Sequence, residues 1–258
     1  MRAAKVGKNR CIHYSMNSLV SLTPDFAELL GIIVGDGYVR TNPPRWLSIE
    51  CAAYEKRFID TNVIPLVTSV FGRSVKGKFY NRHGKANTYG ICVCSKQIIE
   101  ILAAYDVAIK HDIIDVPSCV MESSDEEIKL RFLRGFIDTD GCLSFIKKKE
   151  LYSYPRLNVS SVSPLLMKNV VLLFQYLGFR GSFWRMKTGK KSKLPLYRFE
   201  IKGAEMIRQW WKIIGSKNPS IISKYLLWKR YGECKTNSSF EERVQILKNG
   251  NLNIAKPS

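Results

Sequence analysis

The chain has 258 residues, 45% of them apolar, and a formal net charge of +19 from 41 Lys+Arg against 22 Asp+Glu. That length builds one large domain or two smaller ones, and the apolar share excludes a disordered chain. A charge excess of this size repels itself in the compact state, so its natural use is against a polyanion, with nucleic acid first.

Residues 1–22 read as a basic arm (Arg2, Lys5, Lys8, Arg10) with no apolar stretch of a secretory signal behind it. At Thr23-Pro24 a helix start is predicted, with Thr as N-cap and Pro at the first helical position. The helix over 23–35 is apolar nearly all round and is expected to be buried. It ends in LLGIIVGDG, residues 29–37, and the chain repeats this at 133–141 as LRGFIDTDG. The alignment sets Gly31 on Gly135, Gly35 on Thr139, Asp36 on Asp140 and Gly37 on Gly141. The second copy comes after Ser124-Asp125-Glu126-Glu127, read as a capping box.

The stretches downstream of the two copies are also alike. A β-rich segment leads to an amphipathic helix ending in Phe71-Gly72 or Leu177-Gly178-Phe179. Strands are predicted near 74–82 and 88–95, and near 181–188 and 194–202, then helices near 96–105 and 203–214. Each half thus reads αββαββα, an α+β fold with an antiparallel sheet and helices on one of its faces. The expected units are a first half over 23–122, a second over 123–232, and a tail over 233–258 with a short helix near 239–248. Pro117 and its neighbouring serines mark the connection between halves.

Gly31 and Gly35 share a helix face, and Gly135 and Thr139 are small as well. Small residues at this spacing let two helix backbones approach closely. The motif helices are therefore expected to form the seam, with Asp36 and Asp140 near each other at the C-terminal ends, just before glycines free to adopt positive φ. Helix dipole and mutual repulsion both disfavour two carboxylates there. A cation compensates, and Mg²⁺ fits, because it takes one or two carboxylates plus phosphate oxygens. A lone Asp-Gly is an ordinary helix-to-turn signal; two inside matched copies point to a site.

These residues carry a resemblance. The doubled motif and the αββαββα order are similar to the LAGLIDADG homing endonucleases, in their single-chain form, over most of 23–232. The resemblance implies a monomer with an internal pseudo-dyad, two DNA-binding sheets joined by the packed motif helices, and cleavage of both strands of a long, pseudo-palindromic site. It implies Asp36 and Asp140 as catalytic, metal-binding acids, with the carbonyls of Gly35 and Thr139 as further ligands, and Mg²⁺ as cofactor with Mn²⁺ or Ca²⁺ able to substitute in binding. Asp138 is read as structural, since its counterpart is Val34. The family's supporting Gln or Lys is missing from Glu50–Tyr54 and from Asn158–Ser161, so Lys96 and Lys202 take that role. The alternatives are an intron maturase that binds RNA and a non-cutting regulator of the same fold. Met1 and the Ala255–Ser258 end, without a terminal His-Asn, favour a free-standing intron-encoded protein over an intein.

The expected DNA surface is the alternating face Lys76, Lys78, Tyr80 and Arg82, with Val75 and Phe79 opposite, together with Arg40. In the second half it takes in Lys147, Lys149, Arg156, Arg185 and Lys187, among other lysines around two hairpins. Trp210 and Trp211 are expected in the core; Trp46 and Trp184 fit either surface or core.

Cysteines are odd in number and irregularly spaced, and only Cys92-x-Cys94 is close, both on one strand face. With no CxxC pair and only His13, His83 and His111, a structural zinc is not expected. Reduced, buried thiols in an intracellular, cytoplasmic protein are. No apolar run approaches the roughly 20 residues of a membrane span.

Overall fold

The computed structural model describes residues 20–82, 86–107, 113–148, 151–186 and 194–250. Helix α1 (Pro24–Asp36) leads directly into β1 (Gly37–Arg40) and β2 (Trp46–Ala52). A helical run comes next: a 3₁₀ turn (Ala53–Glu55), α2 (Lys56–Phe58), a π turn (Ile59–Val63) and α3 (Ile64–Phe71). Pro65 lacks the N–H that would bond the Thr61 carbonyl, which accounts for the irregular winding just before it. Gly72 closes the run in the left-handed region at φ 62°. Then come β3 (Lys78–Arg82), β4 (Ala86–Cys94) and α4 (Lys96–Ala104).

A short helix, α5 (Ser118–Glu122), lies in the connection, and the pattern repeats: α6 (Glu126–Asp140), β5 (Gly141–Lys148), β6 (Leu151–Ser161), α7 (Pro164–Tyr176), β7 (Ser182–Met186), β8 (Leu196–Lys202) and α8 (Ala204–Ile213). Two more helices close the chain, α9 (Pro219–Tyr231) and α10 (Phe240–Asn249). The α+β order predicted for each half is present. Each half builds one antiparallel four-stranded sheet, ordered β1-β2-β4-β3 and β5-β6-β8-β7.

Helices α1 and α6 run parallel, touching from one end to the other. A Cβ on Gly31 would stand 2.1 Å from the Phe132 carbonyl oxygen, and one on Gly135 would stand 2.1 Å from that of Glu28. Only glycine lets the two backbones come so close. A buried ion cluster binds the same seam. Glu28, 1% exposed, pairs with Arg131 at 2.6 Å, Lys217 at 2.9 Å and Arg134 at 3.7 Å, and Arg131 also reaches Asp25. Several cations offset the desolvation of one carboxylate.

Some local expectations are corrected. The Thr23 cap is present, Phe26 N donating to its Oγ1 at 3.2 Å. At the second motif helix the cap is Asp125, which accepts from Glu127 N at 2.9 Å, and Ser124 lies outside; a reciprocal capping box occurs instead at Ser239 and Glu242. Gly37 and Gly141 are extended, at φ −80° and −89°, not left-handed. They are glycine because a Cβ would meet the Ile33 or Ile137 carbonyl oxygen at 2.4 or 2.3 Å, where the chain turns straight from helix into strand. Strand β3 starts only at Lys78, so Lys76 precedes it in a loop. Cys51 and Cys234 are buried, but Cys92, Cys94 and Cys142 are exposed, against the expectation of buried thiols.

Trp210 is fully buried, and Trp211 stacks on Tyr225 with ring centroids 3.9 Å apart. Among the described residues no helix is long and apolar enough to cross a membrane.

Candidate active site at the seam of two sheets

Because α1 and α6 are parallel, their C-terminal ends arrive together. A Cβ on Gly35 would stand 2.0 Å from Thr139 Oγ1 and 3.6 Å from Asp140 Oδ2. Asp36 is exposed and Asp140 half-buried, so solvent reaches both. The crowded helix ends still strip much of their hydration. Burial first, and then the negative charge of Glu55, push the Asp36 carboxyl up to about 6. Burial first, and then the charge of Asp36, push Asp140 up to about 7. Desolvation is the larger part at both acids; the other motif carboxylate contributes at Asp140, and Glu55 takes that place at Asp36.

Asp138 is buried and points the other way. It accepts from Ser216 Oγ, from Lys217 N at 2.9 Å and from Asn218 N at 3.4 Å. Burial raises its carboxyl to about 7, against the pull of those donors. Its role is to hold the 216–218 turn on α6, in keeping with a structural reading. Asn218 completes this tie: its Nδ2 donates to Glu55 Oε1 and to the Asp138 carbonyl, both at 2.8 Å, while its Oδ1 caps α9 at Ser220 N.

Strand register assigns the remaining candidates. In the first half Gly37 faces Ile49 and Ile49 faces Ile91, all on the helix side. The next row toward the carboxylates is Glu50, Gly90 and Lys78, on the open face. In the second half Gly141, Val159 and Phe199 form the matching row, with Ser160, Arg198 and Trp184 next to it on the open face. Each half therefore sets one cation in that row, Lys78 on β3 and Arg198 on β8. Arg198 escaped the sequence reading. Its signal was the alternation Tyr197, Arg198, Phe199, Glu200, Ile201, which places Arg198 opposite a buried Phe199.

Lys96 and Lys202 lie at the wrong end. Lys202 faces Arg156, three residues along from the Val159–Phe199 row, about 10 Å at 3.3 Å per residue. Lys96 starts α4 beyond Cys94, which is likewise three residues past Ile91, and it pairs with Glu100 at 3.6 Å. The register that separates them from the carboxylates is not readable from spacing alone.

Of the expected DNA surface, Lys78, Tyr80 and Arg40 share the open face of the first sheet, and Arg82 ends β3 at the same parity. The Arg40 guanidinium lies over the Trp46 ring, 4.4 Å from its centroid. Arg156 is on the open face of the second sheet, where it bonds Ser144 Oγ at 3.0 Å and pairs with Glu200 at 3.6 Å. Arg185 is not: it faces Tyr197, on the helix side. Phe79 lies on the helix side, yet is 58% exposed, with its ring edge-on to Tyr89. Lys147 sits past an irregularity in the β5–β6 ladder. Lys149 and Lys187 fall outside the described residues.

The site offers hard oxygen donors: two carboxylates and the last-turn carbonyls of Gly35 and Thr139, which have no onward helical partner. That set suits Mg²⁺, Mn²⁺ or Ca²⁺ and is a poor match for soft metals. Among the described residues no three His, Cys, Asp or Glu side chains gather into a metal-holding group.

Comparison with known proteins agrees with this architecture. Residues 127–218 match the LAGLIDADG-like domain. The structure is similar to those of the homing endonuclease I-DmoI: mesophilic variants at a TM-score of 0.53 and 17% identity, covering 76% of this chain and 97% of that one, and its complex with DNA and Ca at 0.54 and 15%, covering 80% and 98%. In sequence the chain is 24% identical over 247 residues to a DNA polymerase of Thermococcus litoralis, and 21% identical over 252 residues to the ATP-dependent DNA helicase Hel308 of Thermococcus kodakarensis. These alignments cover 94% and 93% of this chain but only 13% and 21% of those proteins. The LAGLIDADG-like domain is thus matched in the second half, and the two halves together build the fold of the homing endonuclease I-DmoI.

Proposed function

We propose that the chain is a divalent-metal-dependent endonuclease that cuts both strands of a long double-stranded DNA site and acts as a monomer. The observation that carries this reading is the pair Asp36 and Asp140, brought together at parallel helix ends between two sheets whose open faces carry Arg40, Lys78, Arg156 and Arg198. A pure binding protein gains nothing by turning two desolvated carboxylates toward a polyanion. I-DmoI, the structural neighbour, has been solved in complex with DNA and Mn and with DNA and Ca.

In this reading Asp36 and Asp140 would hold the cation, helped by the carbonyls of Gly35 and Thr139. The chemistry that a cation held there would supply is activation of water and stabilisation of the leaving oxygen of a phosphodiester. The chain's own part is to position. Lys78 and Arg198, one on each open face, meet phosphates to the side of the acids, three and two strands across at about 4.8 Å per strand, and the sheets set the register of the duplex. Helix packing at Gly31 and Gly135 fixes the separation of the two carboxylates.

The matched stretch is a small part of each curated relative, and it recurs in a polymerase and a helicase. One unit inside hosts of different activity supports an inserted module of the intein type, in place of the free-standing intron-encoded protein that the chain ends suggested. A maturase role would add intron RNA as a partner; no feature of the site favours it.

The test is cleavage of a plasmid library carrying host-gene sequences without the insertion, with Mg²⁺ and with chelator. A defined double-strand cut that needs the metal supports the proposal. Binding without cutting, in Mg²⁺ and in Mn²⁺, would leave the regulator reading.

A further inference from the structure

Cys92 and Cys94 have no part in the proposed cleavage. Both are exposed on the open face of β4, opposite Ser48 and Trp46 of β2. On the other flank β3 begins only at Lys78, paired with Gly90, so β4 past Gly90 has no strand beside it there. Lys78 of β3 and Glu50 of β2 stand on either side of Gly90, two residues before Cys92 on the same face.

The geometry selects among the uses of such a pair. Residues two apart on one strand are separated by about 6.7 Å, with their Cβ atoms directed alike. A disulfide needs Cβ atoms about 3.5–4.5 Å apart, so it would force the central ladder to buckle. Zinc needs four ligands, and among the described residues no group of three His, Cys, Asp or Glu side chains exists to supply them. An ion placed between the two sulfurs spans the gap without moving the strand. Ligand softness then decides its kind: of the soft ions that thiolates select, copper(I) is the one that two sulfurs can hold.

We propose that Cys92 and Cys94 form a two-coordinate site for copper(I) on the open face of the first sheet. Each S–H gives its proton to water and its electron pair to the ion, and no oxidation state changes. The resulting bis-thiolate carries one negative charge, which Lys78 offsets from the same face.

The test is anaerobic competition for copper(I) against bicinchoninate, in a background where Cys11 and Cys142 are serine. The expected result is one equivalent held by the protein and lost in Cys92→Ser and in Cys94→Ser, while Lys78→Ala weakens it by about tenfold. Cys92 and Cys94 are exposed thiols, and circular dichroism checks the folding of their serine variants. X-ray absorption of the loaded protein is a second readout that needs no further substitution; it should show two sulfur neighbours only. No uptake by the background protein, equal uptake by the Cys92→Ser, Cys94→Ser variant, or a third protein ligand at copper would each overturn the proposal.

Discussion

Gly35 and Thr139 meet so closely at the ends of their helices that a methyl group on Gly35 would lie 2.0 Å from the Thr139 hydroxyl oxygen. That contact sets where Asp36 and Asp140 stand, and the behaviour of the site depends on it.

Asp36→Asn and Asp140→Asn keep the shape of each acid and remove one charge. Each is expected to lower cleavage by about a hundredfold or more, the scale of losing one preorganised electrostatic contact. DNA affinity should survive, because a carboxylate beside phosphate is repelled. Supercoiled plasmid carrying the site separates nicked from linear product. Nicking by one single variant would mean that each acid serves its own strand. Full double-strand cleavage by the double variant would remove both acids from the mechanism.

The seam makes a separate prediction about stability. Gly135→Ala puts a methyl group against the Glu28 carbonyl oxygen, at a distance no side chain tolerates. The helices must part or tilt, at a cost of about 2 kcal/mol or more. Thermal melts should show it clearly, and a Tm equal to wild type would mean that the helices are farther apart than described.

The two acids also tie stability to pH. In the folded chain they titrate at about 6 and about 7, above the ordinary 3.8. Between about pH 4 and 7 the folded state therefore holds protons that the unfolded chain has released, so this contribution to stability is present at low pH and lost as pH rises through that window. Asp138 has the same sign. Without metal, Asp140→Asn should gain Tm relative to wild type on going from about pH 5 to 8. Added Mg²⁺ should raise the wild-type Tm at the higher pH by binding the folded state alone. A wild-type advantage that grows with pH in chelator would contradict this linkage.

Register separates the cations that share a row with the acids, Lys78 and Arg198, from those three residues along the strands. Lys78→Ala and Arg198→Ala should slow cleavage and lower the salt dependence of binding by about one counterion each. Lys96→Ala should leave the cleavage step unaltered. Equal losses of single-turnover rate in all three would erase the distinction that the strand rows draw.

Asn218→Ala removes the donor shared by Glu55 and the Asp138 carbonyl and the cap of α9. Leaving such groups without partners costs about 1–3 kcal/mol each. The loss should appear as a lower denaturant midpoint at unchanged slope. A midpoint within error of wild type would mean that water replaces Asn218.

The repeat was legible because the motif needs small residues at Gly31, Gly35, Gly135 and Thr139 and acids at the ends, and few sequences satisfy both by accident. Period-two alternation likewise put Lys78 and Tyr80 on one face. The features that stayed hidden depend on pairing. Nothing local to Lys96 or Lys202 says which end of the sheet they occupy, because that is set by partners up to dozens of residues away. Arg185 went astray for the related reason that its parity is fixed by Tyr197 across the ladder. Helix α9 was missed because its apolar residues are spread around it and mixed with lysines, so no single stripe stood out. At Gly37 the residue was right and the reason wrong, since close approach to Ile33, and not left-handed backbone, excludes a side chain there.

The Glu28 cluster tells one half of the molecule from the other. Where Glu28 stands on α1, the aligned position of α6 holds Phe132, and where Arg131 and Arg134 stand on α6, α1 has Ala27 and Leu30. Two copies of the first half would bury a glutamate against its own twin; two copies of the second would crowd arginines with no acid between them. Produced as separate polypeptides, the halves would sort into mixed pairs and reject self-association.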